Sequence, residues 1–248
     1  MIVAYHRISS EDSRYSYNIT QARFCEHLDV IANYQKSARE SLPIVTFDDG
    51  EKSNYLLGVE PLQSRGVRAV FFVISSAIDS TPKFMSWSEL KELVSLRHEV
   101  QSHGWSHKPL TDCLDAELRD ELVRSKEVLE NRLGVPVNSI SVPHGRWDER
   151  VLQACCAAGY RRVYMSNPWI RRQELHGVEV VGRYMIRRSL EAEKLRRLLA
   201  GNRSLIFYLR SQYMMKEAVK HLMGHDAYRR MWRRMANANE TSAPKVVR

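Results

Sequence analysis

The chain has no long hydrophobic run. A stretch of about eighteen apolar residues is the mark of a membrane-spanning helix, and none occurs. Cysteine is scarce. Cys25, Cys113, Cys155 and Cys156 show no metal-binding spacing, and the adjacent pair is a poor disulfide framework, so we expect reduced, packing thiols. The opening Met1-Ile-Val-Ala-Tyr-His6 lacks the basic segment and apolar stretch of a signal peptide. It has the pattern of a first strand, and we expect a cytosolic protein. No internal repeat or low-complexity tract is visible. Acidic residues thin out toward the end. Residues 1–160 hold 18 Lys and Arg against 22 Asp and Glu, whereas residues 161–248 hold 20 against 7.

What is present is ordinary for a globular chain of 248 residues: 44% hydrophobic and 27% charged. Strand patterns alternate with helix patterns from residue 2 to about 200. Strands are expected at 2–6, 43–48, 67–74, 99–102, 139–142, 160–165, 178–181 and 183–187. Between them, helices are expected near 20–34, 55–65, 86–96, 115–133, 148–158 and 190–199. Ser86-Trp-Ser-Glu89 is a capping box for the third helix. The alternation predicts parallel strands joined by crossover helices, as an open sheet or a barrel. In both, sites collect at the C-terminal ends of strands. Residues 211–236 form a basic helical pattern with Met215, Val219, Leu222, Tyr228, Met231, Trp232 and Met235 available for an apolar side, and residues 237–248 are expected to be disordered.

The densest chemistry is Ile44-Val-Thr-Phe-Asp48-Asp49-Gly50. An apolar strand runs into two adjacent carboxylates. They can share one pocket only where the strand stops and bends, and Gly50 permits that bend. Two close carboxylates repel, so a proton or a cation is needed between them. His103-Gly-Trp-Ser-His107 follows another strand, and carboxylate with two imidazoles is a ligand set suited to zinc or a similar metal. His6 and His144 also lie just past predicted strands. Singly, each motif fits a turn, a helix cap or a packed histidine. Their coincidence at strand ends argues for one site.

Thr46-Phe-Asp-Asp-Gly50, His103-Gly-Trp-Ser-His107 and Ser141-Val-Pro-His-Gly145, in this order, resemble the polysaccharide deacetylases of the NodB-homology type. The resemblance covers roughly residues 1–200. It implies an α/β fold, a distorted (β/α) barrel, here followed by a basic helical C-terminal extension. The expected divisions are a domain over 1–202, the extension over 203–236 and the tail over 237–248. It implies a metal-dependent hydrolase that removes an N-acetyl group from an amino sugar in a glycan or glycan precursor.

By the resemblance, Asp49, His103 and His107 are the metal ligands, Asp48 is the catalytic base, and the backbone N–H at His144 in the Pro143–Gly145 turn helps hold the oxyanion. The metal expected is divalent, zinc first, with Co²⁺, Ni²⁺ or Fe²⁺ as alternatives. Pro143, Gly145, Trp105 and Trp147 are the expected substrate contacts. The chain departs from the family in three places. In the third motif Ser141 stands where an Arg usually precedes the Pro and His144 where an aromatic follows it; the usual downstream Asp/Trp motif is not evident around Ser166-Asn-Pro-Trp169; and the late Leu-x-His motif is absent, the region reading Arg183-Tyr-Met-Ile-Arg187. Tyr5-His6 matches a pair that some members carry, and His6 is inferred to be the catalytic acid. Competing activities are a deformylase or O-deacetylase on a lipid-linked or nucleotide sugar, and a barrel that binds glycan or polyanion without turnover. The basic segment carries no nucleic-acid motif, and an anionic membrane surface met by residues 211–236, on the inner membrane face, is the expected partner beside the carbohydrate.

Overall fold

The structure, a computed structural model, describes residues 1–13, 15–37, 43–170 and 172–223. The sequence patterns become β1 (Ile2–Tyr5), β2 (Arg7–Ser9), β3 (Asn18–Thr20), α1 (Gln21–Ser37), β4 (Ile44–Phe47), α2 (Lys52–Ser64), β5 (Ala69–Val73), α3 (Trp87–Ser95) and β6 (Glu99–Ser102). They continue as α4 (Asp115–Leu133), β7 (Ser139–Ser141), α5 (Glu149–Ala157), β8 (Arg162–Met165), β9 (Gln173–Leu175), β10 (Val178–Gly182), β11 (Tyr184–Met185), α6 (Ala192–Leu199) and α7 (Arg203–Met223). The capping box forms at Ser86 as expected, and Gly134 ends α4 in the left-handed conformation (φ 69°) that suits glycine. Three short strands were not expected. β2 pairs with β3 in a small separate ladder, and β9 folds back antiparallel on β10. The last part of the expected extension and the whole expected tail lie outside the described residues.

The main sheet has the order β11-β1-β4-β5-β6-β7-β8-β10-β9, parallel except for β9. Its two ends meet. β10 pairs with β8, and after the single residue Arg183 the chain continues as β11, which pairs with β1. One stretch therefore joins the two margins of the parallel part of the sheet, and Arg183 is the seam. The sheet is rolled, because side chains of non-neighbouring strands touch inside it: the Phe72 ring of β5 lies 4.9 Å from the Tyr164 ring of β8. The expected barrel is thus a rolled sheet whose margins are spliced by a change of partner rather than by a continuous ladder.

The period of two in each strand sorts the core into two packings. Val45, Phe47 and Phe71 point outward under the helices, with Phe47 stacked on Phe71 at 4.8 Å and meeting Phe24 of α1 at 5.7 Å. Truncating Phe47 to Ala would cost about 3–5 kcal/mol. Ile2, Val70, Phe72, Tyr164 and Val181 point inward and fill the base of the rolled sheet, with Ile44 against them. Thr46 and Asp48 follow Ile44 on that inward face. The apolar plug is therefore capped by a polar layer, and the site opens above it.

Candidate active site

Asp48 and Asp49 leave β4 at a sharp bend. Asp49 (φ 73°) and Gly50 (φ 74°) are both left-handed, and a Cβ on Gly50 would lie 3.1 Å from Val73 Cβ. The bend turns consecutive carboxylates into one space. Left-handed backbone recurs at His107 (φ 64°) and His144 (φ 59°), a strain that the surrounding contacts hold in place.

Asp49 Oδ1 lies 3.4 Å from His103 Nε2 and 3.4 Å from His107 Nε2. His103 Nδ1 is 2.7 Å from the Ser141 carbonyl oxygen, which can only accept, so the Nδ1 hydrogen points there and Nε2 faces Asp49. The two imidazoles titrate in opposite directions. Burial opposes charge on His103, but Asp48 and Asp49 outweigh it and raise its pKa. His107 is lowered to about 3, by burial first and by the neighbouring His103 charge second. Burial also opposes ionisation of Asp49, but its hydrogen bond with His103 and the positive fields of His6, His103 and His107 hold its carboxyl well below the usual range. The carboxylates thus favour positive charge among the three groups. A divalent cation would supply it. Ligand arms of 2.0–2.2 Å in a tetrahedron give edges of about 3.4 Å. The three donor atoms, all within 4.8 Å of one another, fit such an ion.

Asp48 is left out of this triangle. It is 2% exposed and its carboxylate accepts from Arg183 Nη1 at 2.7 Å, Arg183 Nη2 at 2.8 Å and Ser141 Oγ at 3.1 Å. Burial would raise its pKa, yet the Arg183 guanidinium prevails and holds it at about 2. Asp48 is therefore ionised at all ordinary pH. No role was expected for Arg183. Its signal was parity: Val181 and Arg183 stand two apart, so both face the interior.

A cavity of about 590 Å³ opens over these groups and is lined by His6, Asp48, Asp49, His103, His107, His144 and Gly145. The His6 ring lies 5.0 Å from that of Tyr17, tilted by 31°, and its Nδ1 is buried with no hydrogen-bond partner among the described residues. Burial lowers its pKa against the pull of Asp49 and Asp48. His144 is exposed and its ring lies 4.5 Å from that of His107. In the same turn the Gly145 N–H donates to the Val142 carbonyl at 3.1 Å, so it is not an oxyanion donor.

Three expected substrate contacts lie outside the cavity lining. Trp105 and Trp147 do not line the cavity. Trp105 turns toward α4, where the Arg124 guanidinium sits 3.7 Å over its ring, and Trp147 packs on the core. Pro143 is buried within the turn and lies outside the cavity lining. The aromatic lining comes instead from Tyr15, Tyr17, Tyr184, Tyr208 and Tyr213.

A second unforeseen residue is Glu121 of α4. Buried at 4% exposure, it accepts from the Trp105 N–H at 3.0 Å, the Ser106 N–H at 2.9 Å and Ser106 Oγ at 2.5 Å. It thereby fixes the loop that carries His103 and His107. Its signal was a lone carboxylate beside Leu118, Leu122 and Leu129 on the buried face of the helix.

The polysaccharide deacetylase family profile matches residues 35–163, just over half of the chain. The chain belongs to the polysaccharide deacetylase family. The matched span holds Asp48, Asp49, His103, His107 and the 143–145 turn, whereas His6, Arg183 and α7 lie outside it. Family relatives include YxkH of Bacillus subtilis, 25% identical over 183 residues, 67% of this chain and 64% of that protein. Chitin deacetylase 1 of Cryptococcus neoformans is 30% identical over 123 residues, 50% of this chain and 25% of that protein. The chain thus spans less than two thirds of the length of these relatives. The deacetylase PplD of Streptococcus pyogenes, solved with acetate, superposes with a TM-score of 0.72 at 19% identity, over 80% of this chain and 96% of that one. At that identity the likeness is one of fold.

Proposed function

We propose that the protein is a metal-dependent hydrolase that removes an N-acetyl group from an amino sugar. The observation that carries this reading is the separation of duties among adjacent groups: Asp49, His103 and His107 converge as ligands, while Asp48 beside them is kept ionised and outside the triangle. Bound by the triangle, a divalent cation, zinc first, supplies Lewis acidity toward water and the amide carbonyl. Asp48 takes the proton of the attacking water. The His144 peptide, in its left-handed turn at the cavity wall, offers its N–H toward the developing oxyanion. His6, on the cavity wall beside the two carboxylates, donates to the departing nitrogen.

The finer reading is a biosynthetic precursor handled in the cytosol at the inner membrane face. Its support is α7. One side of this helix lines the cavity through Tyr208, Gln212, Tyr213 and Lys216. Phe207, Met214, Met215 and Leu222 form an exposed apolar stripe at helical spacing, and the helix holds Arg203, Arg210, Lys216 and Lys220 against one acid, Glu217. Apolar contact with cationic flanks suits an anionic lipid surface. A site lined beside such a helix suits an amino sugar carried on a lipid.

Acetate release from N-acetylated oligosaccharides and a polyprenyl-diphosphate amino sugar, with defined metals and with chelator, tests the activity. Release that chelation leaves unchanged would defeat the metal-dependent reading. Asp48→Asn is expected to retain metal and lose about 10²–10⁴ in turnover. Sedimentation with liposomes tests the surface: equal recovery in the supernatant with neutral and anionic vesicles would remove the membrane from the account.

A further inference from the structure

Asp48 has to be held by something, and the sequence position that usually carries the arginine of the third motif holds Ser141 instead. The guanidinium is nevertheless there. Arg183 Nη2 lies 2.7 Å from Ser141 Oγ and 2.8 Å from Asp48 Oδ2, while Nη1 lies 2.7 Å from Asp48 Oδ1 and 3.1 Å from Thr46 Oγ1. Arg183 is fully buried. Its charged plane sits 5.4 Å from the Phe72 ring and 5.8 Å from the Tyr164 ring, over the apolar plug. It does not line the cavity, so it cannot touch substrate.

We infer that Arg183 is the positioning residue for Asp48, taking over from the β10–β11 seam the place that an arginine at residue 141 would fill. The inference rests on the deacetylase reading for its consequence in turnover, but not for the tether itself. The forked guanidinium matches both carboxylate oxygens, which fixes the rotation of Asp48 about its side chain as well as its place. Ser141 completes the arrangement by accepting from Arg183 and donating to Asp48 Oδ2 at 3.1 Å. Its small side chain also leaves room for an arginine arriving from the facing strand. The neighbours fit this purpose. Thr46 donates its own hydroxyl to the Val3 carbonyl at 3.1 Å and so presents a lone pair to Nη1. Without the fork Asp48 would be free to swing toward the metal triangle and become a fourth ligand, leaving no base.

Two measurements test this, one of them blind to activity. In metal-free protein, Arg183→Gln, Asp48→Asn and the double variant form a cycle read by urea midpoints. The tether requires non-additivity: the double variant should melt no earlier than the weaker single one. Losses that simply add would overturn the tether, whatever the enzyme acts on. In the second, turnover of N-acetylglucosamine oligomers is measured together with bound zinc. Arg183→Gln should lower kcat about 10²-fold with KM and zinc content unchanged. Arg183→Lys, which keeps the charge and safeguards the fold, should also lose kcat, because an ammonium cannot fork; full turnover would contradict the inference. Exchanging the source strand, Ser141→Arg with Arg183→Ser, should regain at least tenfold over Arg183→Ser alone. A folded exchange variant with no recovery would sink the claim that the two positions are equivalent. If the native protein releases acetate from no sugar amide, the functional reading fails, and the stability cycle still decides the tether.

Discussion

On the β4 and β6 side of the cavity, Asp48, His103 and Glu121 are buried and each is held by groups from other elements. On the α7 side, Tyr208, Gln212 and Lys216 reach the same cavity from a helix whose far face exposes Phe207, Met215 and Leu222. α7 is moored at a few points: Trp169 Nε1 donates to the Arg210 carbonyl at 3.0 Å, Arg210 Nε to the Pro168 carbonyl at 3.0 Å, and Lys216 Nζ to Tyr17 Oη at 2.8 Å. The first wall is fixed in the way that bond-breaking chemistry demands. The second is suited to grip or select. The same division appears in the family match, which includes the first wall and omits the second.

The contrast can be broken most easily at the pinned wall. His103→Ala removes a ligand and the tie to Ser141, so metal content after dialysis and turnover should both collapse; a variant that keeps stoichiometric metal would refute the triangle. Glu121→Gln leaves the ligands in place but weakens the acceptor that orders their loop. It should cost about 10–100-fold in metal affinity with the fold intact, measured by competition with a chelating dye. Tyr213→Ala tests the other wall. KM should rise about fivefold, the scale of one lost contact near 1 kcal/mol, while kcat stays within about twofold. A kcat effect as large as that of the pinned wall would erase the distinction.

A last effect, which leaves the site untouched, separates scaffold from site by pH. His27 and His98 are both buried outside the cavity, and burial lowers each to about 4. Unfolded, they bind protons below about 6.5. The unfolded state therefore holds more protons between pH 6.5 and 4, and stability must fall as pH falls through that window, by at most about 3 kcal/mol per histidine. His98→Gln should flatten part of that slope in urea titrations. An unchanged slope would mean that His98 is not neutral in the fold.

The chain's strands and crossover helices were legible because each carries a clear period and a cap or glycine stop. Asp49, His103 and His107 were legible because ligand types fell at strand ends. Arg183 was not, since its partner is 135 residues away and nothing local marks it. Counting by twos along the strands would have found it: Ile44, Thr46 and Asp48 face inward from β4, and Val181 and Arg183 face them from the seam. Glu121 was hidden in a helix rich in acids, where only burial distinguishes it. Trp105 and Trp147 fall outside the cavity lining, because position within a motif says nothing of which way a ring turns. β2, β3 and β9 are too short for any period to show.

The seam at Arg183 has a further consequence for heat. One residue both joins the margins of the rolled sheet and aims Asp48. Partial fraying at β11, which is held to β1 by only a two-residue ladder, would displace the guanidinium while the rest of the sheet stays intact. Warming should therefore silence the protein reversibly below its melting temperature, with turnover fading while its circular dichroism is still that of the native fold.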